Sequence, residues 1–136
     1  SEMCIRDRAM KTRLLLLDEP TANLDAGSRR ELIRLLRSLR EKEGTTLILA
    51  THDVEAVAEL TDYVYVLNNG RVEAEGATGE VLSDGPLLEH VRLEQPQLAR
   101  LIGLLRKAGL LDPATNDPIT LEKAYGLLSK RLEGMQ

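Results

Sequence analysis

Residues Arg13–Asp25 read RLLLLDEPTANLD, four leucines in a row that run into two adjacent carboxylates, a proline and, after three more residues, Leu24-Asp25. A short, continuously apolar run is what a parallel strand covered on both faces requires. In open α/β sheets, ligands sit beyond the carboxyl ends of the strands, where Asp18 and Glu19 stand. One carboxylate there can hold Mg²⁺, a hard ion that prefers oxygen and sheds its water reluctantly. The other can orient and deprotonate a water that attacks a phosphate. The pair taken alone also has a plainer reading, as the end of a strand and the start of a turn at Pro20.

Working outward, Leu32, Leu35, Leu36 and Leu39 make one apolar helical face, with Arg30, Arg34, Arg37 and Arg40 largely away from it. Ser28 with Glu31 fits a capping box near the start of that helix, and Gly44 lies just past its end. Thr46–Ala50 (TLILA) is a second apolar strand, and Val54, Val57 and Ala58 mark a brief helix after it. YVYVLNNGRVEAEG then reads as two strands joined at Asn69-Gly70. The order predicts an α/β fold with parallel strands and an antiparallel hairpin. Beyond Gly85 the pattern is helical, one face carrying Leu98, Leu101, Ile102 and Leu105 and another Leu121, Tyr125, Leu128 and Leu132. DPATNDP, at 112–118, separates the two as a loop.

The second strand ends on Thr51-His52-Asp53. If the two strands are neighbours, His52 emerges at the same sheet edge as Asp18 and Glu19, where its ring can donate to a terminal phosphate. Asp53 suits the N-cap of the following helix, and Asp25 that of the first. His90 lies in the helical part, is expected to have no acidic or histidine partner, and reads as a surface residue. A phosphate-cradling GxxxxGK[ST] loop needs two glycines five positions apart, and none of the 10 glycines are so spaced.

The composition, 43% hydrophobic and 29% charged with a formal net charge of -4, is that of a globular protein and argues against nucleic acid as a direct partner. YVYVL at 63–67, the longest apolar run, falls far short of the roughly 20 residues that span a bilayer, so a membrane tie would run through another protein. The single cysteine, Cys4, permits no internal disulfide and mildly favours a reducing compartment. It lies in SEMCIRDR, residues 1–8, which has neither period, resembles a translated sequencing adapter and is set apart from the fold.

Read together, LLLLDEPTANLD and the ATHD that holds His52, 27 residues after Asp25, resemble the C-terminal half of an ATP-binding-cassette (ABC) ATPase domain, a P-loop NTPase. The resemblance implies that Asp18 ends the Walker B strand and binds Mg²⁺, that Glu19 is the general base, that Ala22–Asp25 form the D-loop with Asp25 at the nucleotide, and that His52 is the switch histidine. LNNGRVEAEG and the EVL after it also match, with Thr78 at a turn where the family commonly has proline. Ala9-Met10 looks like the tail of the helix that follows the family's signature. The Walker A, Q-loop and LSGGQ motifs would precede it, so the chain by itself is expected to be inactive.

The leucine-rich tail after Gln95-Pro96, with a second helix opening near Ile119-Thr120, is similar to the ATPase subunits of cobalt or nickel importers and of energy-coupling-factor vitamin importers. The resemblance implies ATP and Mg²⁺ as cofactors, and as partners a second ABC ATPase subunit, in a homo- or heterodimer, and a transmembrane transporter subunit. It places the protein peripherally on the cytoplasmic face of the membrane. The organisation expected is an apparent non-native segment at 1–8, a partial ATPase domain at 9–84 and a helical extension at 85–136. Two other readings are an ABC-type ATPase of DNA repair or translation, and a non-catalytic module that pairs with a cassette through its helical tail.

Overall fold

The leucine run forms strand β1 (Leu14–Asp18), which pairs in parallel with β2 (Thr46–Ala50), Leu14 opposite Thr46 and Asp18 opposite Ala50. The computed structural model describes residues 12–112 and 120–133. Residues 1–8, Ala9-Met10, Ile119, the loop at 113–118 and the side chain of Leu132 lie outside the described residues.

Helix α1 (Ala26–Glu43) joins the two strands and lies against β2. Its buried stripe is Ile33, Leu36 and Leu39, so Ile33 belongs to the apolar face together with the half-buried Leu32 and Leu35. The helix begins earlier than a capping box at Ser28 and Glu31 would have it. Asp25 is the N-cap, accepting the backbone N–H groups of Gly27 (2.8 Å) and Ser28 (3.1 Å). The Ser28 hydroxyl donates to the same carboxylate at 2.6 Å, which makes Ser28 a partner of the cap and not the cap itself. Gly44, at φ 67°, ends the helix with its N–H on the Leu39 carbonyl.

The leucine run suits a strand covered on both faces, but among the described residues one face is bare. Leu15, Leu17, Leu47 and Leu49 are half-buried, whereas Leu16 and Ile48, which are register partners, are 66% and 53% exposed. The physical reason is the helix count. Helix α1 is the one long helix of its unit among the described residues, and one helical layer covers one face of a two-stranded sheet.

The chain divides into two compact units between Ala56 and Val57, within α2 (Val54–Leu60). In the second unit β3 (Tyr63–Asn68) and β4 (Arg71–Ala77) form the antiparallel hairpin. Asn69 (φ 49°) and Gly70 (φ 74°) both lie in the left-handed region, as the tight turn of such a hairpin demands. Val66 faces Ala74 and Leu67 faces Val72, which leaves Glu73 as the extra residue of a bulge. Among the described residues the hairpin and the parallel pair are separate sheets.

Among the described residues four further helices follow, α3 (Thr78–Ser83), α4 (Gly85–His90), α5 (Gln97–Lys107) and α6 (Leu121–Glu133). The core of this unit gathers Ala58, Leu82, Leu88 and Ala99, with Val57 and Leu93 packed on it. Thr78, the expected turn residue, is instead the buried first residue of α3, its N–H on the Asp62 carbonyl (3.1 Å) and its hydroxyl 2.9 Å from that of Thr61. The tail faces are shifted from those expected. Ala99 and Ile102 are the buried residues of α5, and Ala124 is buried in α6, while Leu101, Leu121 and Tyr125 are exposed. His90 pairs with the bulge residue, its Nε2 3.3 Å from a Glu73 carboxylate oxygen.

Candidate functional site

Parallel pairing in register brings the ends of β1 and β2 to one edge, so Asp18 and Glu19 emerge beside Thr51, His52 and Asp53. The Glu19 N–H still reaches the Ala50 carbonyl (2.8 Å), extending the ladder one residue past Asp18. At Glu19 the backbone then turns into the left-handed region, φ 42°, a conformation that costs energy in a residue with a side chain. The Glu19 carbonyl accepts the Ala22 N–H (3.1 Å), which closes the turn through Pro20.

That turn aims the Glu19 carboxylate at the tip of β2. Oε2 accepts the Thr51 hydroxyl at 2.8 Å, and Oε1 accepts the His52 backbone N–H at 3.1 Å and lies 2.8 Å from His52 Nδ1. The His52 ring and then the Thr51 hydroxyl hold the Glu19 carboxyl below its ordinary range, and Glu19 in turn raises His52. Nε2 of the same ring has no hydrogen-bond partner among the described residues, and the side chain is 79% exposed. The Asp18 carboxylate, exposed at the strand tip, likewise has no hydrogen bond or ion pair among them.

A second network lies behind the first, and of its members the sequence singled out Asp53 alone, as a helix cap. The cap forms, with the Ala56 N–H on Asp53 Oδ1 at 3.0 Å. Asp53 also receives the two-pronged guanidinium of Arg29, Nε at 3.1 Å and a terminal nitrogen at 3.2 Å, and the hydroxyl of Thr21 at 2.8 Å. Partial burial pushes the Asp53 carboxyl up, but Arg29, the Ala56 N–H and Thr21 together outweigh it and leave the group lowered. Thr21 and Arg29 stand 32 and 24 residues from Asp53, and no spacing rule within one element links them. Asp25 is removed from this cluster of contacts: its carboxyl is lowered by the Ser28 hydroxyl and by the N–H groups of Ser28 and Gly27, all within its own cap.

Comparison with known proteins identifies the family. Over 102 residues, three quarters of the chain, the sequence is 47% identical to the energy-coupling factor transporter ATP-binding protein EcfA1 of Methanospirillum hungatei. The chain belongs to the ABC ATPases. A second relative, the energy-coupling factor transporter ATP-binding protein EcfA2 of Caldanaerobacter subterraneus subsp. tengcongensis, is 34% identical over 126 residues. This cassette chain spans only 37% and 43% of the lengths of those two relatives. The family model described as "AAA domain, putative AbiEii toxin, Type IV TA system" matches residues 5–58, which include β1, the acidic pair and the His52 segment. Among solved structures, cbiO1 of Clostridium perfringens, part of the ABC transporter complex cbiONQ, is 36% identical, with 67% of this chain and 36% of that one covered at a TM-score of 0.49.

Proposed function

We propose that the acidic tip of β1 and the tip of β2 form half of an ATP-hydrolysing site, and that the complete polypeptide is the ATPase subunit of a membrane importer. The observation that carries this reading is the Glu19 carboxylate, held on a left-handed backbone by the Thr51 hydroxyl and by the N–H and ring of His52.

In this reading Glu19 is the base that takes a proton from the attacking water. A carboxylate that accepts from three donors is a weak base, so the His52 ring has to leave Oε1 before Glu19 can act. The ring has somewhere to go: it is exposed, and Nε2 is available to donate to a phosphate oxygen. Glu19 and His52 thus work as a pair in which phosphate competes with the carboxylate for the imidazole. Asp25 ends the loop after the acidic pair and sets its geometry by anchoring α1. Asp18 offers hard, unengaged oxygens in water, which fits Mg²⁺ held through a partly retained hydration shell. Among the described residues no three His, Cys, Asp or Glu side chains gather into a closed metal cage, so Asp18 would be one ligand among waters and phosphate oxygens. The ion, when bound, would neutralise phosphate charge.

The names of the relatives support the transport assignment. The partners are a second ABC ATPase subunit and a transmembrane subunit, the cargo is a metal ion such as cobalt or nickel or a vitamin, and the location is peripheral, on the cytoplasmic face of the membrane. Among the described residues no helix is long and apolar enough to cross a membrane. The 136-residue chain alone does not hydrolyse ATP, because its glycines are not spaced to make a phosphate-cradling loop. The test is Glu19→Gln in the full gene product. The rate constant of ATP hydrolysis is expected to fall by about 10²–10⁴-fold with nucleotide binding retained. An undiminished rate would overturn the assignment of the base.

A further inference from the structure

Two hydrogen-bond networks meet at one atom, the hydroxyl oxygen of Thr51. It donates to Glu19 Oε2 at 2.8 Å and accepts the backbone N–H of Asp53 at 3.1 Å. A hydroxyl has one proton to give, so an N–H bond on its oxygen directs that proton to the remaining acceptor, here the Glu19 carboxylate. The Asp53 backbone is in turn held through its side chain. Arg29, in the second turn of α1, grips both carboxylate oxygens, and Thr21, in the loop after the acidic pair, donates to Oδ2. The Thr21 residue is buried, and the Arg29 and Asp53 side chains are only 27% and 22% exposed, so the clamp is partly shielded from water and from salt.

We infer that Asp53, clamped by Arg29 and Thr21, is a positioning residue that sets the direction of the Glu19 carboxylate through Thr51. This inference rests on the reading of Glu19 as the base. The relay also spans the sheet edge. Thr21 follows β1, Thr51 and Asp53 follow β2, and Arg29 belongs to the helix between, so a shift of the loop after Glu19 moves Asp53 and is felt at the carboxylate. A cap on α2 alone would require only the Ala56 N–H; the Arg29 fork and the Thr21 hydroxyl add nothing to that cap.

Steady-state ATP hydrolysis of the full gene product tests the inference, with Thr51→Val, Thr51→Ser, Thr21→Val, Arg29→Lys and the Thr21→Val/Arg29→Lys pair beside Glu19→Gln. A misdirected carboxylate lowers kcat and leaves ATP binding alone, so Thr51→Val is expected to lower kcat on the order of tenfold with KM changed less than twofold. Thr51→Ser, which keeps the hydroxyl, is expected to restore the rate. The Thr21→Val/Arg29→Lys pair is expected to cost less than the product of its single effects, since both act through Asp53. Should Thr51→Val fail to fold, Arg29→Lys, which keeps the charge and loses the fork, carries the test with the same split between kcat and KM. Equal rates for wild type and Thr51→Val in a protein that Glu19→Gln silences would overturn the relay alone. Rate losses that only track a lowered folded fraction, with Thr51→Ser no better than valine, would overturn it too. Hydrolysis that survives Glu19→Gln would remove the base, and the relay with it.

Discussion

Replacing Leu16 and Ile48 together by threonine strips the bare face of the β1–β2 pair of two opposed apolar side chains while keeping residues that favour strands. Their exposures are 66% and 53%. Full burial of a leucine or isoleucine is worth about 1.5–3 kcal/mol, so these two leave about 2–3.5 kcal/mol of transfer free energy available to whatever covers the face. The two-stranded sheet also presents open edges, which template pairing with another chain. The 136-residue chain is therefore expected to self-associate, and the double variant to do so roughly 30- to 300-fold more weakly, at about 1.4 kcal/mol per tenfold. Sedimentation velocity over a concentration series measures the association, and far-ultraviolet circular dichroism checks that the secondary structure survives. A parent chain that stays monomeric at high micromolar concentration would refute the reasoning. So would a double variant that associates as strongly as the parent, which would put the driving force elsewhere, on the edges or on the exposed leucines of α5.

Two further predictions follow from the hydrogen bonds. The Glu19–His52 pair has a pH window with two edges: the raised histidine contributes fully below its ordinary value of 6.5 and less as pH rises through its folded value, and the lowered carboxyl contributes above its ordinary 4.5 and less as pH falls through its folded one. The His52 ring resonances, followed by NMR, should titrate above 6.5 in the wild type and move down in Glu19→Gln; an unmoved midpoint would refute the pairing. Thr78→Pro installs the residue the cassettes commonly have there, but it removes the N–H given to Asp62 and the hydroxyl shared with Thr61. It should destabilise by about 1–3 kcal/mol in a denaturant titration, because two hydrogen bonds made by a buried residue are lost, and a more stable variant would count against the role given to those bonds.

What could be read from the sequence follows the range of the interactions. The order of strands and helices, the Asn69-Gly70 turn and the meeting of Glu19 with His52 all rest on local pattern or on neighbouring parallel strands, and sequence carries both. The Thr21–Asp53–Arg29 clamp was invisible because each partner has a sufficient local explanation: a turn residue, a helix cap, a surface arginine. Which side of β1 is exposed is not legible for a related reason. LLLL says that both faces are apolar, and the coverage of either depends on residues far along the chain. In α6 the periodicity found a face with Leu121 and Tyr125 on it, but contact with the rest of the unit buries the small Ala124. The Asp25 cap is legible from its place before the helix, whereas the Ser28-Glu31 spacing misplaces a capping box: Asp25 accepts the N–H groups of Gly27 and Ser28, and the Ser28 hydroxyl joins it as a donor.

Glu19 also bears on how this protein can be engineered. Its backbone, at φ 42°, is one that glycine or asparagine adopts with less strain than a longer side chain. A library at position 19 ranked by melting temperature alone would drift towards those residues, reward the relaxed turn and discard the carboxylate. With Glu19 as the proposed base, screening this fold for stability needs position 19 held fixed, because there the thermometer and the proposed chemistry select opposite residues.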